Sequence, residues 1–335
     1  MGIDLPLIWI LIIAFGVMMY VVMDGFDLGI GILLPFIRDR VDRNTMINTV
    51  APVWDGNETW LVLGGAALLA AFPLAYSVLL SALYLPLVLM LAGLIWRGVA
   101  FEFRFKAQDP HISFWDQAFS WGSYIATFSQ GVCLGAFING FKVTGPSYMG
   151  GALDWLTPFS LLTGVGLIVA YALLGSTWLI MKTEGALQRR MSGLARPVAF
   201  ALLAVIGIVS LCTPLTQPDV AARWFSLPNL FFFAPVPLLV LATTWGILGA
   251  LKRETHAAPF LLTLFLMLLG YSGFAISLWP NIIPPGVSIR QAAGPAESMG
   301  FTLVGALFII PVILAYTSWS YFVFRGKVKA GESYH

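Results

Sequence analysis

Charge, cysteine and histidine are all scarce in this sequence, and each shortage excludes something. Only 10% of the 335 residues are charged, against 59% hydrophobic. Soluble domains carry about 25% charged residues, so a water-soluble fold of this length would leave too much apolar surface in contact with water. The bilayer must solvate most of the chain. The net charge of +2 comes without a basic stripe or motif that would favour a nucleic-acid partner. Cys133 and Cys212 fall in apolar runs and read as small packed hydrophobes rather than a disulfide framework. His111, His256 and His335 all fall in polar connections or the tail. Haem iron in membrane proteins is most often held by histidine within a helix, and copper and iron sites also favour imidazole. Met18, Met19, Met23 and Met90 lie in apolar runs, where methionine usually fills the core. The chain is therefore expected to ligate no redox metal. It also carries no Walker loop, nucleotide fingerprint or candidate catalytic triad.

What the sequence has in abundance is long apolar runs. A helix needs about 20 apolar residues to cross the hydrocarbon. Nine segments qualify: 6–36, 56–73, 76–101, 117–140, 157–181, 197–215, 230–251, 258–280 and 301–324. Pro235 and Pro237 sit in the first turns of the seventh, where proline is tolerated. The first run has no basic region before it and is too long for a signal-peptide core, so it reads as a retained span. Of the 18 Lys and Arg, only Lys142, Arg223 and Arg290 lie on one side of this arrangement; the others share the opposite set of loops. Basic residues favour the cytoplasm, so the N-terminus is expected outside and the C-terminus inside. No connection is long enough for a separate folded domain. Gly25, Gly29 and Gly31 form a small-residue face on the first helix, which suits close helix packing.

Acids inside the apolar runs are the candidate functional groups. Asp24 and Asp27 share a helix face within the first run, with Asp27 about 15 Å before the basic loop at 1.5 Å per residue. Asp55 and Glu58 open the second run, again three residues apart. Two readings stand for each pair. Asp24 and Asp27 form either a packing-specific polar pair or part of an ion or proton route. Asp55 and Glu58 form either a helix cap or an extension of that route. Arg97 closes the third run and reads either as a cytoplasmic anchor or, with Glu102, as a supporting charge. A secondary transporter with these acids as its coupling-ion site is the alternative function, although transporters place such groups near the midplane, and these lie towards one face.

The same residues carry a family resemblance. Asp24-Gly25-Phe26-Asp27-Leu28-Gly29 and the block from Ala51 to Leu61, with Trp54-Asp55-Gly56-Asn57-Glu58 at its centre, resemble subunit II of the bacterial cytochrome bd-type quinol oxidases. So do Phe72-Pro73, the stretch from Trp96 to Arg104, and Tyr316-Thr317-Ser318-Trp319. The compact length is more similar to the short, cyanide-insensitive branch. The resemblance implies an all-α polytopic fold of about nine helices, as two four-helix bundles plus a peripheral helix. Here that divides the chain into 1–140, 141–280 and 281–335. It implies a bacterial inner-membrane complex that oxidises ubiquinol, reduces dioxygen to water and builds proton motive force. Haem b and haem d-type groups belong to subunit I, the partner. Some relatives add a small single-helix accessory subunit, and some hold a structural quinone in subunit II. The motif carries a proton-pathway role onto Asp24, Asp27 and Asp55, with Arg97 beside them. Many relatives have a neutral residue at Glu58, so there the pattern departs from the family.

Overall fold

The computed structural model describes residues 4–329 and Gly331. The chain is helical nearly throughout, in the order α1 (Leu5–Leu33), α2 (Arg40–Asn48), α3 (Trp54–Ala71), α4 (Pro73–Lys106), α5 (Asp109–Asn139), α6 (Pro158–Lys182), α7 (Gly185–Thr216), α8 (Pro218–Phe225), α9 (Asn229–Phe233), α10 (Pro235–Lys252), α11 (Ala258–Leu278) and α12 (Ala296–Val323). Two short antiparallel hairpins, Val143–Thr144 with Ser147–Tyr148 and Asn281–Ile283 with Val287–Ser288, fill connections on one side.

Proline punctuates this order. It opens α4, α6, α8 and α10, where its missing N–H is not needed. Inside α4, Pro86 removes a backbone donor, and the helix departs from helical geometry at Leu83 (φ −113°, ψ 15°). Pro235 splits the expected seventh span into α9 and α10, which still run as one apolar unit, Asn229–Lys252.

Seven helical units are long and apolar enough to cross a membrane: those of α1, α4, α6, α7, α9 with α10, α11 and α12. The two other long helices, α3 with 18 residues and α5 with 31, fall short because they hold polar and charged residues. Only seven of the nine expected spans therefore meet the criterion among the described residues. The other two, α3 and α5, add Asn57, Asp116, Ser120 and Ser123 to the buried polar groups.

The large apolar side chains left exposed, among them Leu11, Val62, Trp245, Phe301 and Leu307, form the outward surface that a lipid solvent requires. The core is centred on α6, which is buried from Ala170 to Ile180, and on the stretch of α1 from Asp24 to Leu33. Glycine sets two of the closest approaches. A Cβ on Gly175 would stand 2.6 Å from the Gly29 carbonyl carbon, and one on Gly29 would run into the Tyr171 carbonyl oxygen. A Cβ on Gly122 would stand 2.7 Å from the Gly93 oxygen and 2.8 Å from the Arg97 nitrogen. The first contact seats α1 on α6, and the second brings α4 against α5 beside Arg97.

The expected basic loop 37–55 contains α2, capped by the Asp39 carboxylate. It is held down by a buried ionic clamp. Asp116 Oδ1 accepts from Arg104 Nε at 2.5 Å, and its Oδ2 accepts from Arg43 Nη1 at 3.0 Å. Arg104 Nη2 also donates to Asn44 Oδ1 at 2.8 Å. The clamp ties α2 to α4 and α5.

Gly29→Val is expected to abolish folded protein, because its side chain must displace backbone rather than a movable side chain. Gly65→Ala, where a Cβ meets nothing within 4 Å, should be silent. Size-exclusion chromatography of detergent-solubilised membranes reads both.

Candidate functional site

The site forms where α1, α3, α4 and α12 converge. Asp24 and Asp27 lie on the face that α1 turns inward, each 1% exposed. Arg97 comes from well inside α4 and is fully buried. Its Nη2 forms an ion pair with Asp24 Oδ1 and lies 3.8 Å from Glu58 Oε2 on α3. Glu58 is 27% exposed at its side chain, so it stands between the buried pair and the surface. The indole of Trp54 covers the guanidinium, with Cζ 5.6 Å from the ring centroid, within the range of a cation–π contact.

Asp27 has a different partner. Asn57 Nδ2 donates to Asp27 Oδ2 at 2.8 Å and lies 3.3 Å from the Met23 carbonyl oxygen. The amide oxygen of Asn57 accepts from the Tyr321 hydroxyl of α12 at 2.9 Å. One turn before Asp24 on α1, Tyr20 accepts from Gln130 Nε2 at 2.6 Å, and Gln130 Oε1 accepts from Tyr171 at 3.0 Å. A polar chain therefore links α1 to α5 and α6 beside Asp24.

Two features limit what this arrangement does. Three carboxyl groups, those of Asp24, Asp27 and Glu58, gather around one guanidinium. One cation balances only one carboxylate, so the charge of the cluster depends on the protons it holds. In addition, Asp24 Oδ2, Asp27 Oδ1, Arg97 Nε and Arg97 Nη1 are buried with no hydrogen-bond partner among the described residues.

Sequence reasoning located part of this. Asp24 and Asp27 are buried together as the spacing required. Arg97 is not a cytoplasmic anchor. The helix continues to Lys106, which leaves Arg97 inside the protein with an anionic partner. Glu102, expected to support it, is exposed; five residues on from Arg97, it lies on a different face. Asp55 is exposed on this chain as well and lies outside the buried cluster. Asn57, two residues on, turns inward in its place. Sequence reasoning passed over Asn57, Gln130, Tyr171 and Tyr321. The signal for Asn57 was its position one residue from Glu58 inside a motif already singled out. Tyr321 had none.

His111 and His256 are exposed at helix ends, away from the cluster, and His335 lies outside the described residues. Among the described residues, no group of three His, Cys, Asp or Glu is placed to hold a metal.

Residues 5–324 match the family described as cytochrome bd terminal oxidase subunit II. The chain belongs to that family. It is similar to a protein named probable cytochrome oxidase subunit 2 of Haemophilus influenzae, with 31% identity over 96% of this chain and 94% of that one. It is also similar to the cytochrome bd ubiquinol oxidase subunit 2 of Bacillus subtilis, at 28% identity over 97% of each chain. The cytochrome bd-I ubiquinol oxidase subunit 2 of Escherichia coli K12 is 28% identical over 97% of this chain and 95% of its own. In fold it matches a chain from the bd oxidase of Geobacillus thermodenitrificans, with a TM-score of 0.77 over 96% of this chain and 99% of that one, at 15% identity. As a bd oxidase subunit, the chain works in a haem-containing respiratory oxidoreductase complex in a bacterial membrane. The transporter reading gains no support from any of these matches.

Arg97→Gln should strand Asp24 as an uncompensated buried charge, at a cost of about 3–5 kcal/mol. Haem content per milligram of membrane should fall sharply in that variant. The double variant Asp24→Asn with Arg97→Gln should recover much of it, because the two changes are strongly non-additive.

Proposed function

We propose that this chain is the haem-free subunit of a quinol-oxidising, dioxygen-reducing complex, and that Asp24, Asp27 and Glu58 with Arg97 take up the protons consumed at the partner's oxygen site. The observation that carries this is the buried carboxyl cluster with its unpartnered polar atoms. Reducing dioxygen to water consumes one proton for each electron delivered. A route from the cytoplasm needs titratable groups that stay inside the apolar layer yet communicate with its edge.

The cluster is suitably placed. Asp27 is six residues from the end of α1, about 9 Å at 1.5 Å per residue, and the basic segments containing Arg38, Arg40 and Arg43 follow. Their charge argues for a cytoplasmic location of that end. The same rule puts the N-terminus in the periplasm and the C-terminus in the cytoplasm, with α3 and α5 as the remaining two of nine crossings. Glu58 is the half-exposed step towards the surface. Asp55, in the first turn of α3, marks the entrance rather than the interior, a position that a neighbouring subunit would cover. Subunit I, with haem b and haem d-type groups, is that neighbour in this reading, and ubiquinol is the reductant, as the names of two relatives suggest.

Asp27→Asn keeps the size of the side chain and removes only the proton-binding group. In the assembled complex it should lower quinol-driven oxygen consumption per haem by at least about tenfold, a conservative figure for loss of a proton-transfer group. The visible haem spectrum should persist. Asp55→Asn should depress turnover less, and Glu102→Gln should leave it unchanged. Oxygen consumption at the parent rate in Asp27→Asn would overturn the proton-uptake reading.

A further inference from the structure

Beyond the acidic motifs, one polar chain reaches the site from the last helix. Of the residues of α12, only Met299 and Thr317 are buried. The helix is nonetheless fixed at its C-terminal end by Lys182, the last residue of α6. Lys182 is 6% exposed, and its Nζ donates to the carbonyl oxygens of Phe324 at 2.5 Å and Gly326 at 2.8 Å. The Val328 N–H donates back to the Lys182 carbonyl at 2.8 Å. These carbonyls lie at and just past the C-cap of α12, where a cation also complements the helix dipole. One turn earlier, Trp178 lies under the ammonium, 5.3 Å from Nζ to the ring centroid. It stacks on Phe26 at 4.2 Å and meets Tyr321 edge-on at 6.2 Å. Phe26 is the neighbour of Asp27.

Tyr321 sits at the junction. Its hydroxyl donates to Asn57 Oδ1, and Asn57 Nδ2 donates to Asp27. An amide presents a donor on one side and an acceptor on the other. With its oxygen committed to Tyr321, its nitrogen faces the carboxylate and the Met23 carbonyl. Beside this chain, between α3 and α12, lies a crevice of about 10 Å³ lined by Gly56, Asn57, Thr317, Ser320 and Tyr321. That is roughly the room one water molecule needs. The Thr317 hydroxyl, which lines the crevice, is buried without a partner among the described residues. Asn57 is thus the partition between a water-sized space and Asp27.

We propose that Tyr321 and Lys182 are positioning residues for Asp27: Lys182 pins the end of α12, and Tyr321 thereby orients the Asn57 amide that separates the crevice from the carboxyl group. The proposal rests on the proton-uptake reading of Asp27. It adds that α12 sets how readily water in the crevice exchanges a proton with that group. Neither residue gives up a proton in turnover, and neither touches substrate.

The test uses the assembled oxidase. Tyr321→Phe removes one oxygen atom and leaves the ring against Trp178. It should retain haem content and lower oxygen consumption per haem about threefold to tenfold, the range expected for loss of one hydrogen bond. The solvent deuterium isotope effect on turnover should rise, because proton delivery then limits the rate more. A merely structural defect would reduce the amount of complex without changing the isotope effect of what remains. Lys182→Met should produce the same rise, and the double variant should be no slower than the slower single variant, since both act through Asn57. If Lys182→Met does not assemble, Tyr321→Phe decides alone. Parent turnover and isotope effect in Tyr321→Phe, or a double variant whose losses multiply, would overturn the proposal. Asp27→Asn, measured alongside, separates the two failures. If it is slow while Tyr321→Phe is not, the positioning role falls and proton uptake stands. If it turns over normally, both fall.

Discussion

A guanidinium and a carboxylate meet in the interior of this protein, and much of the surrounding architecture follows from keeping them there. Arg97 and Asp24 are both shielded from solvent, and removing such ions from water costs several kcal/mol each after relaxation. Their attraction offsets that only if the helices bearing them approach closely and the remaining polar atoms are managed. Both conditions shape the fold. Gly93 and Gly122 let α4 close on α5 beside Arg97, and Gly29 and Gly175 let α1 close on α6 beside the acids. Trp54 covers the exposed flank of the guanidinium. The pair lies between helices that cross the lipid and helices too polar to do so unaided, which explains why α3 and α5 look unlike spans in isolation. Asn57 of α3 and Gln130 of α5 are both turned towards α1, where they meet Asp27 and Tyr20.

The pair also divides the labour of the two aspartates. Asp24 is committed to Arg97. Asp27 has only a neutral amide and one open oxygen. Two carboxyl groups three residues apart on one helix thus stand in different surroundings, one paired with a cation and one with an amide. The clamp of Asp116 with Arg43 and Arg104 shows the contrast. There both carboxylate oxygens are matched by arginine donors, leaving nothing over for chemistry, and the group holds α2 in place.

Much of this was legible in the sequence because apolar length and acid spacing are local properties. The all-helical membrane fold, the small-residue face of α1 and the shared face of Asp24 and Asp27 followed from periodicity and composition alone. What was not legible depends on rotation and on where helices end. Asp55 and Glu58 have the same spacing as Asp24 and Asp27, but α3 is a half-exposed helix. The rotation of α3 about its axis decides that Asn57 rather than Asp55, two residues earlier, turns inward. Arg97 reads as an anchor if α4 ends near Ala100 and as an ion-pair partner if it reaches Lys106, and hydropathy fades before the hydrogen-bonded helix does. Arg104 lies seven residues beyond Arg97, two turns on the same face, so its burial against Asp116 follows from that longer helix. Tyr321 is separated from Asn57 by 264 positions, and no local pattern announces such a contact.

The position of α12 shows why polar contacts decide its placement. Its outward side chains, Phe301, Leu307, Phe308, Val312 and Trp319, are all exposed and suited to lipid. In a bilayer an apolar helix face gains little by leaving lipid for protein, because both are equally apolar, so association depends on close packing and on hydrogen bonds. Two buried residues supply little packing. The Lys182 contacts at its C-terminal carbonyls and the Tyr321 hydroxyl on Asn57 are therefore the specific part of its attachment. They fix its rotation as well as its height. Because the Tyr321 bond ends on the amide that meets Asp27, one of the interactions that seat the last helix also reaches the buried carboxyl cluster.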